Sequence, residues 1–149
     1  ARALIKAHEG TSTACGVFRE GLQSEDTCIR LEAVQTFGEV AGSGAAALLA
    51  EKMDQDLSEM MKNERDRAVR LQAACSLMKL ESSSDAFNLI INEAHSDFHI
   101  HRQEAVKALG EVVKPGTAET KRALPALRTI LEEDSDEGVR CAAVKALKE

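Results

Sequence analysis

Apolar residues along the chain recur at intervals of three and four rather than two, in segments that resemble one another. DTCIRLEAVQTFGEV (26–40), DRAVRLQAACSLMKL (66–80), DFHIHRQEAVKALGEV (97–112) and DEGVRCAAVKALKE (136–149) fit one template. Three residues after Arg30, Arg70, Arg102 and Arg140 stand Ala33, Ala73, Ala105 and Ala143. Four residues after come Val34, Ala74, Val106 and Val144; seven after come Phe37, Leu77, Leu109 and Leu147. These offsets share one stripe of a helix, so each segment is predicted as an amphipathic α-helix. The small alanine lets a neighbouring helix axis come close enough for the flanking Leu and Val to interlock. An Asp four residues ahead of the arginine (Asp26, Asp66, Asp136) has the chemistry of an N-cap. The third copy departs from the rule: Asp97 is five residues ahead, and His101 stands where Ile or Val is expected.

Less similar helical patterns lie between these segments. Residues 11–23 carry Ala14, Phe18 and Leu22, and residues 45–61 carry Leu49, Met53, Leu57, Met60 and Met61. Residues 84–95 carry Phe87, Ile90, Ile91 and Ala94, and residues 118–132 carry Leu124, Leu127, Ile130 and Leu131. Gly42-Ser43-Gly44, Ser82-Ser83-Ser84 and Pro115-Gly116 punctuate the pairs. The chain thus reads as helix, turn, helix, turn, with pairs at 11–40, 44–80, 84–112 and 118–149. Residues 1–10 read as the end of a preceding repeat, with Ala3-Leu4 matching Ala105-Val106.

Successive arginines are 40, 32 and 38 residues apart, a period that marks a stacked helical array rather than a closed bundle. The expected fold is all-α: an α-α superhelix of about four helix pairs plus a partial N-terminal helix, forming a single domain over 1–149. One pair cannot hide its stripe from water, so neighbours must bury each other. The ragged start and the uncapped end at KALKE suggest a piece of a longer array.

Composition narrows the function. Aromatics make up 3% of the chain, with no Trp or Tyr, so the core must be aliphatic. The net charge of −6 is spread evenly along the sequence, which argues against a nucleic-acid partner, since that affinity comes largely from Lys and Arg on phosphates and from aromatic stacking. No apolar run approaches a membrane span, and no signal sequence opens the chain. Cys15, Cys28, Cys75 and Cys141 are far apart, without zinc-ligand spacing. They read as small buried hydrophobes in a reducing, cytoplasmic compartment, although two bridges remain arithmetically open.

The Asp-x-x-[Ile/Val]-Arg-x-x-Ala-x-x-x-[Leu/Phe] motifs at 26–37, 66–77 and 136–147, with a shifted version at 97–109, resemble the HEAT repeat family. The likeness is to the short, alanine-rich bacterial and archaeal repeats described as bilin-lyase-like. It implies that the motif begins the second helix of each pair and that these helices line a concave face. It also implies a structural polar ladder of Asp26, Arg30, Asp66, Arg70, Arg102, Asp136 and Arg140, and a tolerated bend at Pro125 in a first helix.

Candidate chemistry is sparse. His95, His99 and His101 cluster in sequence, with Glu93 and Asp97 nearby, but straddle a turn and read as polar turn residues rather than metal ligands. Di-iron relatives repeat His-Glu pairs in several units, and this chain has only His8-Glu9. No nucleophile elbow occurs, and the acidic run 132–137 lacks the glycine and spacing of a calcium loop. No catalytic residue, metal or cofactor is therefore expected. The expectation is a non-catalytic scaffold that binds a protein or peptide on the concave face through Glu32, Gln35, Glu39, Gln72, Ser76, Lys79, Glu104, Lys107, Glu111 and Lys145. The alternative that the resemblance implies is a bilin-lyase-like accessory enzyme or chromophore-handling chaperone.

Overall fold

A computed structural model describes residues 13, 15–42, 47–80 and 83–148, with the backbone alone for residues 41, 42 and 47–52. The expected end of a preceding repeat at 1–10, Ala14 and the side chain of Leu49 lie outside the described residues. Every described element is a helix: α1 (residues 15–22), α2 (Thr27–Gly42), α3 (Ala47–Asn63), α4 (Arg67–Leu80), α5 (Ser84–Glu93), α6 (His99–Val112), α7 (Ala118–Glu133) and α8 (Glu137–Ala146). The chain divides into two compact units, Ala1–Ser83 and Ser84–Glu149, and each holds two helix pairs.

In the first unit the second helices, α2 and α4, pack side by side, and α3 packs on α4. Val34, Phe37, Met53, Leu57, Val69, Ala73 and Leu77 are buried and form its core. Phe18 of α1 meets Phe37 edge-on with ring centroids 5.4 Å apart. A Cβ at Gly21 would lie 2.8 Å from the Ala33 Cβ, so α1 crosses α2 at a distance that only glycine against alanine allows.

The α2–α4 seam depends on a second such pair. A Cβ at Gly38 would lie 2.6 Å from the Ser76 Oγ, and that hydroxyl donates to the Val34 carbonyl oxygen at 3.1 Å. Ser76 is completely buried. The expectation that it contacts a partner is therefore corrected. Six residues past Arg70, it lies on the side of α4 that packs against α2, where its hydroxyl is satisfied by a helical carbonyl.

The second unit repeats the plan, with α6 packed on α8, α7 on α8 and α5 on α6. Its core includes Phe87, Ile90, Ala105, Val106, Leu109, Leu127, Ile130, Val139 and Ala143. Gln103 of α6 donates its amide to the Gly138 carbonyl at 3.3 Å, and a Cβ at Gly138 would lie 3.0 Å from that amide nitrogen. Between the first helices, the Arg122 guanidinium sits 4.7 Å over the Phe87 ring and donates to Asn88 Oδ1.

The stripes differ from expectation at a few positions. Leu124, expected inside, is exposed, and Ala123 is buried in its place: the inward stripe of α7 runs 123, 127, 130. Leu147 is exposed and Val144 half-buried at the end of α8. Cys15 and Cys75 are buried, but Cys28 and Cys141 are exposed, because they stand two residues before and one residue after an arginine, off the apolar stripe. None of the four is in a disulfide.

Helix starts follow the sequence closely. Asp26 Oδ1 accepts from the Cys28 N–H at 2.7 Å, Asp66 Oδ1 from Ala68 and Val69 at 2.9 and 3.1 Å, and Asp136 Oδ1 from Val139 at 3.0 Å. In the third copy the N-cap position falls to the exposed Phe98, whose side chain has no acceptor, and α6 starts without a side-chain cap.

Two stability measurements check this packing. Gly38→Ala gains helix propensity of about 1 kcal/mol but overpacks a seam whose correction costs about 1–3 kcal/mol. Chemical denaturation is expected to show a net loss, which Ser76→Ala in the same chain reduces by removing the clashing hydroxyl. Phe98→Asp restores the missing cap and is expected to raise stability by about 1 kcal/mol, with slower amide exchange in the first turn of α6.

Candidate functional site

The repeated arginines are fixed first by their own turns. Each begins one turn inside a second helix and folds back over the loop that precedes it. Arg30 Nη1 donates to the Ser24 and Glu25 carbonyls at 2.8 and 3.0 Å, and Arg102 Nη1 to those of Ser96 and Asp97 at 2.9 and 3.1 Å. Arg70 Nη1 reaches the Glu64 and Arg65 carbonyls, both at 2.8 Å, and Arg140 Nη1 reaches the Asp134 carbonyl at 2.7 Å. In all four copies the carbonyl six residues upstream is an acceptor, so the arginine satisfies backbone that the turn leaves unpaired.

Two of the arginines carry a second grip. Arg30 forks onto Glu64 through Nε and Nη2 at 2.7 and 3.1 Å, and Arg102 forks onto Asp134 at 2.7 and 2.9 Å. The same carboxylates accept from the backbone N–H of Asp66 and of Asp136, each at 2.9 Å. One acid thus caps its own turn and clamps the preceding pair's arginine, in the bidentate geometry that guanidinium favours. The acidic side of the ladder is therefore Glu64 and Asp134. Asp26, Asp66 and Asp136 serve as caps instead. The missed signal was the column six residues before each arginine, which reads Ser24, Glu64, Ser96, Asp134. Among the described residues, Arg70 and Arg140 show only the backbone grip.

Hydrogen bonding from the partner guanidinium holds the Glu64 and Asp134 carboxyls below the usual carboxylate range; burial acts in the opposite sense and is outweighed. The same bonds hold Arg30 and Arg102 more firmly protonated. At neutral pH these are fixed ion pairs and not proton carriers. Each borders an open groove: one of about 290 Å³ in the first unit is lined by Arg19, Gln23, Asp56 and Glu64, and one of about 400 Å³ in the second by His95, Arg102, Glu133 and Asp134.

The histidines do not converge. His95 and His99 are exposed, while His101 is half-buried beside Ser96 Oγ at 3.3 Å and the Phe98 ring at 5.1 Å. Among the described residues no three His, Cys, Asp or Glu side chains form a metal-binding group. No described helix is long and apolar enough to cross a membrane.

The remaining expected contact residues fall on a single set of offsets. Glu32, Gln35 and Glu39 stand two, five and nine residues past Arg30, and Glu104, Lys107 and Glu111 stand at the same offsets past Arg102; all six are exposed. Lys145, five past Arg140, is exposed as well. Gln72 and Lys79, at two and nine past Arg70, are half-buried on α4, which is the most deeply packed of the second helices.

The clamp has a pH signature. Because the folded-state pKa of Asp134 is lowered, its contribution is complete above the unfolded carboxylate range near pH 4 and is lost as pH falls towards the folded value. Asp134→Asn is expected to lower the melting temperature by about 5 °C at pH 7 and to flatten the decline below about pH 5. Glu64→Gln is expected to behave in the same direction. Thermal melts across pH 2–8, a range bracketing the carboxylate titration, check both.

Residues 87–149 match the family model described as HEAT repeats. No curated protein matches the chain. The matched segment takes in most of α5 and all of α6, α7 and α8, the helices whose stacking and arginine clamp are described above. Over residues 87–149, less than half of the chain, the sequence is similar to HEAT repeats, in keeping with its all-helical, repeated architecture.

Proposed function

We propose that this protein is a non-catalytic interaction module that receives a protein or peptide on the exposed side of its second helices. HEAT repeats generally mediate protein–protein interaction, and proteins built from them are typically non-enzymatic scaffolds. The observation that carries the reading here is the recurrence of one exposed polar set, two, five and nine residues past the arginine, on both α2 and α6. Much of the rest of the motif is committed to packing, capping or clamping, although Cys28, Ile29 and Thr36 of α2 are exposed as well. The same exposed set on a second helix of each unit offers each unit the same kind of contact.

Charge defines the partner's chemistry. Glu32 and Glu39 on α2 suit basic groups, whereas Lys107 on α6 and Lys145 on α8 suit acidic ones, so the partner carries both signs. The net charge of −6 and the absence of Trp and Tyr disfavour nucleic acid.

Charge reversal tests the surface. Glu32→Lys with Glu39→Lys, and separately Lys107→Glu with Lys145→Glu, are expected to reduce recovery of a specific protein partner from the source cells by about tenfold. Glu119→Lys on α7 is expected to leave recovery unchanged. Equal recovery with all three variants removes the second-helix surface from consideration.

A further inference from the structure

The start of α6 breaks two rules that the other copies keep. Four residues before the arginine stand Asp26, Asp66 and Asp136, where the third copy has Phe98. Two residues before it stand Cys28, Ala68 and Gly138, all small, where the third copy has Ile100. Phe98 is 66% exposed and Ile100 56%, so neither is buried in the core. The third copy thus gives up a side-chain cap and leaves two large apolar groups in water, a choice that fold stability alone does not favour.

Repeat stacking does not cover these positions. On α4, which has α2 packed on it within its own unit, the counterpart of Ile100 is Ala68, and it is exposed. The counterpart of Phe98 there is Asp66, which is half-buried. Stacking buries the position one residue before the arginine instead, where Val69 and Val139 are fully covered. The Phe98 ring lies against the His101 ring, with centroids 5.1 Å apart.

Ile100 belongs to the outward face of α6. Spacings of four and seven put it in line with Glu104 and Lys107. Glu104 and Glu111 have interactions of their own. The side chain of Lys107 has no ion-pair or hydrogen-bond partner among the described residues, and neither has that of Lys145, at the same offset on the adjacent α8. At the opposite end of this line the exposed Asp97 precedes Phe98 and repels a carboxylate.

We infer that the second-helix face of this unit takes an acidic segment of a protein partner, with one bulky apolar side chain seated on Phe98 and Ile100 and a carboxylate about 10 Å away, two helical turns along, on Lys107 or Lys145. This placement rests on the second helices being the surface of recognition, and adds an anchor to it. Apolar burial at a few central side chains supplies most of the affinity of such a contact, and the lysines fix the direction in which the segment lies.

Selection of peptides from a displayed random library against the full chain tests the anchor. The selected peptides are expected to combine an aromatic or branched apolar residue with Asp or Glu. With one of them titrated as a synthetic peptide by fluorescence anisotropy, Phe98→Asp and Ile100→Asp are each expected to weaken binding by about tenfold, as is Lys107→Glu with Lys145→Glu. Phe98→Asp separates binding from folding, because its restored cap keeps the melting temperature at or above that of the parent chain. Failure to select any peptide, selection of peptides rich in Lys and Arg, or unchanged binding to both aspartate variants or to the lysine reversal overturns the inference. If only the lysine reversal weakens binding, the second-helix surface stands without this anchor; if none of the variants does, both are removed. Self-association in analytical ultracentrifugation that Phe98→Asp abolishes assigns the patch to a second copy of the chain, and overturns the inference as well.

Discussion

The packing in each unit depends on how closely neighbouring helices can approach one another. Where Gly38 meets Ser76 and where Gly21 meets Ala33, an added methyl group would fall inside van der Waals contact. These small residues let the larger ones around them, Val34, Phe37 and Leu77, reach full burial. Alanine at the centre of the stripe contributes little apolar area itself; its role is to set the distance at which its neighbours interlock. The same logic explains why the core manages with so few aromatic rings.

Close approach creates an electrostatic problem that the arginines resolve. Bringing successive pairs together also brings together the ends of helices, where carbonyls lack intrahelical partners. A guanidinium with its fork of donors can satisfy a turn's carbonyls and grip a carboxylate at once. Arg30 and Arg102 do both, and Glu64 and Asp134 answer by capping the following turn while accepting the fork. The charges are thereby spent on architecture, and for that reason the most eye-catching ionisable residues of the sequence are not its chemistry.

Much of this was legible from the chain alone, because period and offset are properties of a helix and not of its surroundings. The arginine-marked segments became α2, α4, α6 and α8, and the Asp caps at 26, 66 and 136 hold where the spacing put them. What failed was partner choice, which periodicity does not encode. Ser76 is polar, and a polar residue on a helix reads as outward; only the neighbouring Val34 carbonyl makes it an inward one. The ladder's acids were sought four residues before each arginine, where a cap already used them, when they stood two residues further back. Leu124 lost its place to Ala123 because a stripe of 123, 127, 130 and one of 124, 127, 131 are equally helical, and packing decides between them.

On α2 and α6 the offsets that carry the exposed polar set differ from those that carry the apolar stripe, whereas on α4 and α8 Cys75 and Ala142 bury offsets five and two. Positions three, four, seven and, at Ser76 and Gly38, six and eight past the arginine are occupied by packing, while two, five and nine are left to the solvent side of α2 and α6. Substitution at the outward positions of α2 and α6 can therefore change the surface while leaving the packing of these two helices in place.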